Sequence, residues 1–288
     1  MSTQALFGQL LVGLINGSFY ALLSLGLAVI FGLLNIINFT HGAQYMMGAF
    51  VAYFLLNKVG LGYWWALAIV PLAVGATGVV IERLMLKQLY KLDHLYGLLL
   101  TFGLALIIEG VFRNEFGSAG LPYSMPESLT GVYNLGFMFL PKYRAWVILA
   151  SLAICVGSWV LIERTKLGAY LRAATENPAL VQAFGINVPR MITLTYGFGV
   201  GLAALAGVFA APIYQVSPQM GSSLIIVVFA VVVIGGMGSI MGAIITGFGL
   251  GIVEGLTKYF YPEASNTVIF VIMAIVLLIR PQGLFGQR

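Results

Sequence analysis

Charged side chains are scarce in this sequence. They make up 8% of its 288 residues, whereas soluble domains carry about 25%. Hydrophobic residues account for 60%, and the mean hydropathy is +1.01. So few polar side chains cannot cover the surface of a soluble domain. The composition therefore predicts a polytopic integral membrane protein.

Cysteine, histidine and the usual catalytic motifs are also nearly or wholly missing. The lone Cys155 can form neither an intrachain disulfide nor a thiolate metal cluster. His41 and His94 are not spaced as metal ligands. There is no Gly-Lys dipeptide, and hence no P-loop, so any ATP must be bound elsewhere. Because no Ser-His-Asp set, paired carboxylates or HExxH motif occurs, we expect no catalytic site, metal site or cofactor in this chain.

Long apolar runs fill most of the sequence. A bilayer crossing needs about 20 apolar residues. The runs that approach this length cover residues 6–31, 42–57, 64–82, 95–114, 145–163, 191–212, 221–236, 241–258 and 265–280. We therefore expect an all-α helix bundle with eight or nine transmembrane helices, in a single domain of residues 1–288. Residues 115–142, rich in Gly, Pro, Ser and aromatics, are expected to form an external loop that either meets a soluble partner or only connects two spans.

The net charge of +5 is explained by orientation, because Lys and Arg collect in cytoplasmic loops. Strict alternation of the spans places nine basic residues inside: Arg83, Lys87, Lys91, Arg164, Lys166, Arg172, Arg190, Arg280 and Arg288. It places five outside: Lys58, Arg113, Lys142, Arg144 and Lys258. The charge therefore does not imply a nucleic-acid partner, and the apolar surfaces are expected to face membrane lipid.

Glycine is abundant, at 36 residues, and often recurs at four-residue spacing. Gly13 and Gly17 are one such pair, and Gly247, Gly251 and Gly255 form a row. Small residues at this spacing let the backbones of membrane helices approach closely. The pattern predicts a tightly packed bundle but does not identify a substrate.

A polar stretch begins between the first two apolar runs. Asn35, Asn38, Thr40, His41 and Gln44 lie together within LLNIINFTHGAQYMMGAF. Lipid would penalise these groups, so they are expected to face a neighbouring helix or a water-filled translocation path. The alternative is that they cap helices at a cytoplasmic turn, with Asn38 or Thr40 as the N-cap.

Two acidic residues precede basic residues by one helical turn near the outer ends of their spans. These pairs are Glu109 with Arg113 and Glu254 with Lys258. Each pair either neutralises itself at the membrane interface or contributes a polar lining to the outer mouth of a translocation path.

One amphipathic segment, residues 165–190, stands out against the apolar background, and residues 191–253 behind it carry no charge. It is too polar to span hydrocarbon, so it should lie flat at the cytoplasmic boundary and dock into a protein groove, or rest on lipid alone. We expect Asn177-Pro178 to start or kink a helix, and Gly185 followed by Pro189 to end it.

Three stretches resemble the LivH/LivM-type permeases, the membrane subunits of branched-chain amino acid ABC importers, in the LivH branch. They are LGLAVIFGLLNIINFTHGAQYMMGAF, RAATENPALVQAFGINVPR and VVVIGGMGSIMGAIITG, and the resemblance covers essentially the whole chain. It identifies residues 165–190 as the cytoplasmic segment that couples the permease to its ATPases. Arg172, Ala173, Glu176, Asn177 and Gly185 match the coupling motif and are expected to meet the ATPase groove.

The resemblance also implies partners and a location. We expect a second homologous permease subunit, two cytoplasmic ATPases that bind ATP and Mg, and a periplasmic binding protein that delivers leucine, isoleucine or valine. The chain would then be a multi-pass protein of the bacterial inner membrane that performs no covalent chemistry. Urea, short amides and aromatic acids are alternative cargoes within the family. A stand-alone secondary transporter or channel and a membrane enzyme acting on lipids are the alternatives outside it.

Overall fold

The computed structural model describes residues 3–34, 37–90 and 92–286, and it shows an all-α membrane bundle. The helices are α1 (Thr3–Leu34), α2 (Thr40–Phe54), α3 (Tyr63–Ile81), α4 (Lys87–Leu89), α5 (His94–Phe116), α6 (Lys142–Arg164), α7 (Lys166–Glu176), α8 (Pro178–Ala183), α9 (Val188–Ala210), α10 (Met220–Gly235), α11 (Ile240–Phe260) and α12 (Val268–Ile279). One-turn π-helical stretches, Leu55–Val59 and Glu82–Leu86, extend α2 and α3. The expected all-α class is confirmed.

Six helical segments among the described residues are long and apolar enough to cross a membrane. They are Thr3–Gly32, Tyr63–Leu89, His94–Phe116, Lys142–Arg164, Val188–Ala210 and Ile240–Phe260. The remaining predicted spans correspond to the shorter helices α2, α10 and α12, of 15, 16 and 12 residues. A 16-residue helix is only about 24 Å long, less than the bilayer core.

The ends of several helices identify two opposite ends of the bundle. The end of α1, the start of α9 and the turn between α10 and α11 meet at one end, together with α7. We call this the inner end, because it carries Arg83, Arg164 and Arg190. Phe7 of α1 contacts Phe137 of the external loop, with ring centroids 4.9 Å apart, so α1 begins at the outer end.

Helices α1 and α9 form the centre of the bundle. In the apolar stretch of α1, 83% of the residues are buried, whereas only 11% are buried in that of α5. Helix α5 therefore lies at the periphery. Gly26 of α1 packs against the backbone of Gly199 in α9, and Gly48 of α2 packs against Ala204. These close approaches place the polar start of α2 against the middle of the bundle.

The glycine rows predicted from the sequence face each other across α1 and α11. Gly13 meets the backbone at Gly251 and Gly255, and Gly17 meets the backbone at Gly247. A side chain at Gly251 would collide with Gly13 and Gly17, because backbone lies where its Cβ would be. The two helices therefore pack backbone against backbone, as small residues at four-residue spacing allow.

Helices α2 and α10 begin side by side in the interior and run towards opposite ends. Gly42 contacts Gly221 near both starts, and the Phe39 ring stacks on Phe229 further along α10. His41 Nε2 lies 3.0 Å from the Leu23 carbonyl oxygen, 11 residues before the end of α1. That separation corresponds to about 16 Å of helix. Helix α2 therefore starts inside the bundle and not at a cytoplasmic turn, with Phe39 as its N-cap and the Asn38 side chain accepting from the Thr40 backbone N–H.

The external loop between α5 and α6 is ordered and packs on the outer end. It contains a short hairpin, in which Val132–Asn134 pairs antiparallel with Phe139–Pro141. Leu121 exchanges backbone hydrogen bonds with Val216 in the connection between α9 and α10. Tyr123 is buried in the loop, and burial raises the pKa of its phenol to about 12. The loop is thus tied to the connection that precedes α10.

We predict that Gly251→Leu destabilises the protein, because the added side chain has no room between α1 and α11. Overpacking typically costs about 1–3 kcal/mol, and the surrounding atoms here are backbone that cannot rotate away. The midpoint of thermal unfolding in detergent should fall. Gly249→Leu on the same helix is the control, because nothing lies within 4 Å of its Cβ position. Equal midpoints for the two variants would contradict the packing described here.

Candidate coupling segment and translocation cavities

The predicted amphipathic segment folds as two short helices at the inner end. Helix α7 ends at Glu176, and the Asn177 side chain accepts a hydrogen bond from the Leu180 backbone N–H to cap α8. Gly185 has a φ of 81°, which ends the second helix in the left-handed region. The predicted break at Asn177-Pro178 and the predicted stop at Gly185 are therefore both confirmed.

Part of the segment is fastened to its own chain. The Arg172 guanidinium donates to the Ile162 carbonyl oxygen at 3.1 Å and pairs with Glu163 at 3.2 Å. Leu171 and Ala174 are buried, so they are not free to enter a partner's groove. Of the apolar side chains of the segment, Leu171 and Ala174 therefore pack inward, whereas Ala179, Leu180 and Ala183 remain exposed for a partner.

The rest of the segment is exposed, and so is Arg172 in spite of its contacts with α6. The five residues expected to meet an ATPase, Arg172, Ala173, Glu176, Asn177 and Gly185, are all exposed. Two apolar side chains stand among them: Leu180 is 54% exposed and Phe184 is 78% exposed. Sequence reasoning did not single out Phe184, although an aromatic residue beside a helix-ending glycine in a cytoplasmic loop is a signal for it.

A buried carboxyl group links the inner ends of α3 and α9. Glu82 is 1% exposed and accepts hydrogen bonds from the Tyr90 hydroxyl at 2.5 Å and from the Thr193 hydroxyl at 2.7 Å. Burial, together with the hydrogen bond to Glu82, raises the pKa of Tyr90, so the phenol remains a donor. Thr193 follows the coupling segment closely in sequence. Glu82 was missed from the sequence because it sits at the predicted boundary of a span.

The polar start of α2 is buried against α9. Asn38 donates to the Tyr196 hydroxyl at 3.0 Å and accepts from the Thr40 backbone N–H at 3.1 Å. His41 and Gln44 are fully buried, and neither polar atom of the Gln44 amide has a hydrogen-bond partner among the described residues. Asn35, also predicted to line a path, lies outside the described residues. Asn38, His41 and Gln44 are thus buried within the bundle rather than exposed to an open channel.

An outer cavity of about 350 Å³ lies beside α1, α2 and the start of α10. Its lining residues are Asn16, Phe19, Tyr20, Tyr45, Tyr214, Gln215, Ser217, Gln219, Met220, Ser223 and Leu224. None of these described residues carries a charge. The cavity therefore combines a polar, uncharged wall with an apolar one, as small-molecule sites commonly do.

Glu254 does not line the outer cavity, but it bonds to residues that do. Its carboxyl group accepts hydrogen bonds from Tyr20 at 2.7 Å, Asn16 at 3.1 Å and Lys258 at 2.6 Å. Tyr214 in turn donates to Asn16 at 2.8 Å. The predicted pairing of Glu254 with Lys258 is confirmed. Glu254 also orients two residues that do line the cavity.

Glu109 pairs with Arg113, as predicted, and its side chain is 15% exposed. It borders a smaller apolar crevice between α2, α5 and the start of α10, about 60 Å³ in volume. Glu109 and Glu254 are therefore not brought together in one site.

An inner cavity, also about 350 Å³, lies beneath the coupling segment. Ala28, Val29 and Gly32 of α1 line it, as do Arg172 and Thr175 of α7. The outer cavity lies on the same helix, at Asn16 and Tyr20. Between the two cavities, residues 21–27 of α1 are buried in the bundle.

We predict that Thr193→Val lowers stability by about 1–3 kcal/mol, because the buried Glu82 carboxyl group loses a donor. Thermal unfolding in detergent measures the loss. Thr195→Val is the control, since among the described residues the Thr195 hydroxyl bonds to the Met191 carbonyl oxygen of its own helix and not to Glu82. If Thr195→Val costs as much as Thr193→Val, the Glu82 linkage contributes nothing specific.

A bundle of apolar helices with cavities towards opposite ends of a buried central helix is the architecture of a multi-pass membrane protein, and it suits transport. The chain matches the family described as branched-chain amino acid transport system / permease component over residues 9–277. It therefore belongs to that family of transport permeases.

Curated relatives agree with this assignment. The high-affinity branched-chain amino acid transport system permease protein LivH of Escherichia coli is 29% identical, with 100% of this chain and 98% of the relative covered. BraD of Pseudomonas aeruginosa, named as the same type of permease protein, is 29% identical over 97% and 95%. The E. coli permease LivM is 28% identical, with 92% of this chain and 67% of the relative covered. No solved structure matches significantly.

Proposed function

We propose that this chain is the membrane permease subunit of an ATP-driven importer of leucine, isoleucine and valine. The observation that carries the proposal is the family match, which covers the coupling segment, the outer cavity and the inner-cavity lining except Phe285 and Gly286. The chain has no nucleotide-binding motif of its own, so the energy must come from partner subunits.

The proposed assembly contains a second homologous permease, two cytoplasmic ATPases that bind ATP and Mg, and a periplasmic binding protein. Similarity to both LivH and LivM, two differently named permeases of one organism, supports a pair of related membrane subunits. The assembly would lie in a bacterial inner membrane. Urea, short amides and aromatic acids remain alternative cargoes, and uptake assays with each would separate them.

The mechanism follows from what the coupling segment touches. Movement of the ATPases is transmitted through the exposed face of α7 and α8, because that face is not packed on the bundle. Arg172 passes the movement to α6 through Ile162 and Glu163. Glu82 passes it from α9 to α3. The bundle then exposes the outer and inner cavities in turn, so that one access closes as the other opens.

We predict that Glu176→Arg uncouples transport. Glu176 is exposed, so reversing its charge leaves the fold intact. The ATPase surface that meets this position then faces a positive charge instead of a negative one. ATP-driven leucine uptake by the reconstituted assembly should fall by about tenfold or more. Glu176→Gln, which keeps the shape and removes the charge, should have a smaller effect. Unchanged uptake by Glu176→Arg would contradict the coupling role.

We also predict that Phe184→Ala weakens binding of the ATPases. Truncating an aromatic anchor at an interface typically costs about 2 kcal/mol, which corresponds to about thirtyfold in Kd. Titration of purified ATPase onto the permease pair measures this change. Leu194→Ala is the control. Leu194 is 68% exposed, close to the 78% of Phe184, but it lies on the membrane helix α9. Equal affinities for wild type and Phe184→Ala would contradict the assignment.

A further inference from the structure

We propose that the outer cavity is a binding site for the transported amino acid within this chain. The inference rests on the proposed function and deepens it, because it assigns the substrate a site inside the permease. The ligand class is a small zwitterion with an aliphatic side chain.

The charge of the wall supports a ligand without net charge. All eleven described residues that line the cavity are uncharged. The nearest carboxyl group, Glu254, stands behind the wall and is matched by Lys258. A cationic or anionic solute would leave water here without a counter-charge, which is costly in a low-dielectric interior. A zwitterion brings both charges with it.

The polar end of the cavity offers groups for the amino acid head. Tyr45 is 1% exposed and lines the cavity, so its side chain stands between the bundle core and the cavity space. Tyr20 and Tyr214 line the same cavity and donate hydrogen bonds to Glu254 and Asn16, so the two hydroxyl oxygens remain able to accept. An ammonium group donates to such oxygens and also lies favourably over tyrosine ring faces.

The start of α10 provides the complementary charge for a carboxylate. Gln219, Met220 and Ser223, from its cap and first turn, line the cavity. The N-terminal end of a 16-residue helix carries a partial positive charge. Broken membrane helices place such ends towards anionic groups of substrates. The carboxylate would therefore lie at α10, with the ammonium group at the tyrosines.

The rest of the wall suits an aliphatic side chain. Phe19, Met220 and Leu224 contribute apolar surface to the cavity. A volume of about 350 Å³ lies at the small end of the usual range for ligand sites, roughly 300–1,000 Å³. The site thus fits one small amino acid rather than a peptide. Urea and short amides lack the apolar part that this wall would bury.

The first test removes only the Tyr45 hydroxyl, at the cavity wall. Tyr45→Phe should lower the maximal rate of leucine uptake by about tenfold, with the binding protein saturated so that capture does not limit the rate. ATP hydrolysis stimulated by the loaded binding protein should persist, because the coupling segment is untouched. Tyr53→Phe on the same helix is the matched control, since Tyr53 does not line the cavity.

The second test detects occupancy without requiring transport. Cys155 is buried, so a small methanethiosulfonate reagent should label a Ser217→Cys variant selectively at the cavity wall. Millimolar leucine or valine should slow that labelling several-fold in the assembled permease without binding protein, whereas lysine, glutamate and urea should not.

The outcomes separate the two proposals. If the wild-type assembly does not accumulate leucine with ATP, the proposed function is wrong. If it does, but leucine and lysine slow labelling equally or not at all, the binding site alone is wrong. Wild-type uptake by Tyr45→Phe would also overturn the role of the cavity.

Discussion

Backbone contact between glycine-lined helices is the constraint on which the rest of this structure depends. Lipid provides no hydrophobic force between membrane helices, so close packing has to hold them together. Gly13 and Gly17 allow α1 to touch α11, and Gly26 allows it to touch α9. Because α1 is held on two sides, the outer and inner cavities keep a common wall. The coupling segment and the two cavities can then act on one rigid central element.

Polar groups in the interior follow from the same constraint. Each buried polar group that is far from water needs a partner within the bundle. Glu82 finds two donors on separate elements, and Glu254 finds three. The first network ties α3 to α9 near the coupling segment. The second shapes the wall of the outer cavity. Glu82 and Glu254, which the hydropathy pattern places near the ends of spans, therefore connect distant parts of the chain.

The features predictable from the sequence were those set by local physics. Hydropathy gave the class and most spans, and Asn177-Pro178 and Gly185 gave the break and the end of the coupling segment, because proline and glycine act on their own backbone. Depth was not predictable, since hydropathy does not reveal that α2 starts inside the bundle. The outer cavity was also missed. Tyr20, Tyr45 and Tyr214 meet only through tertiary packing, and tyrosine is common in any membrane protein.

The side-by-side starts of α2 and α10 bear on how a permease can stay sealed while it moves. Here two short helices start side by side in the interior, where Gly42 contacts Gly221, and they run towards opposite ends of the bundle. Each of the two helices keeps its own backbone hydrogen bonds. Separating the two helices would cost packing contacts but would break no backbone hydrogen bond. This contact in the interior can therefore open and close repeatedly without unwinding a helix inside the membrane.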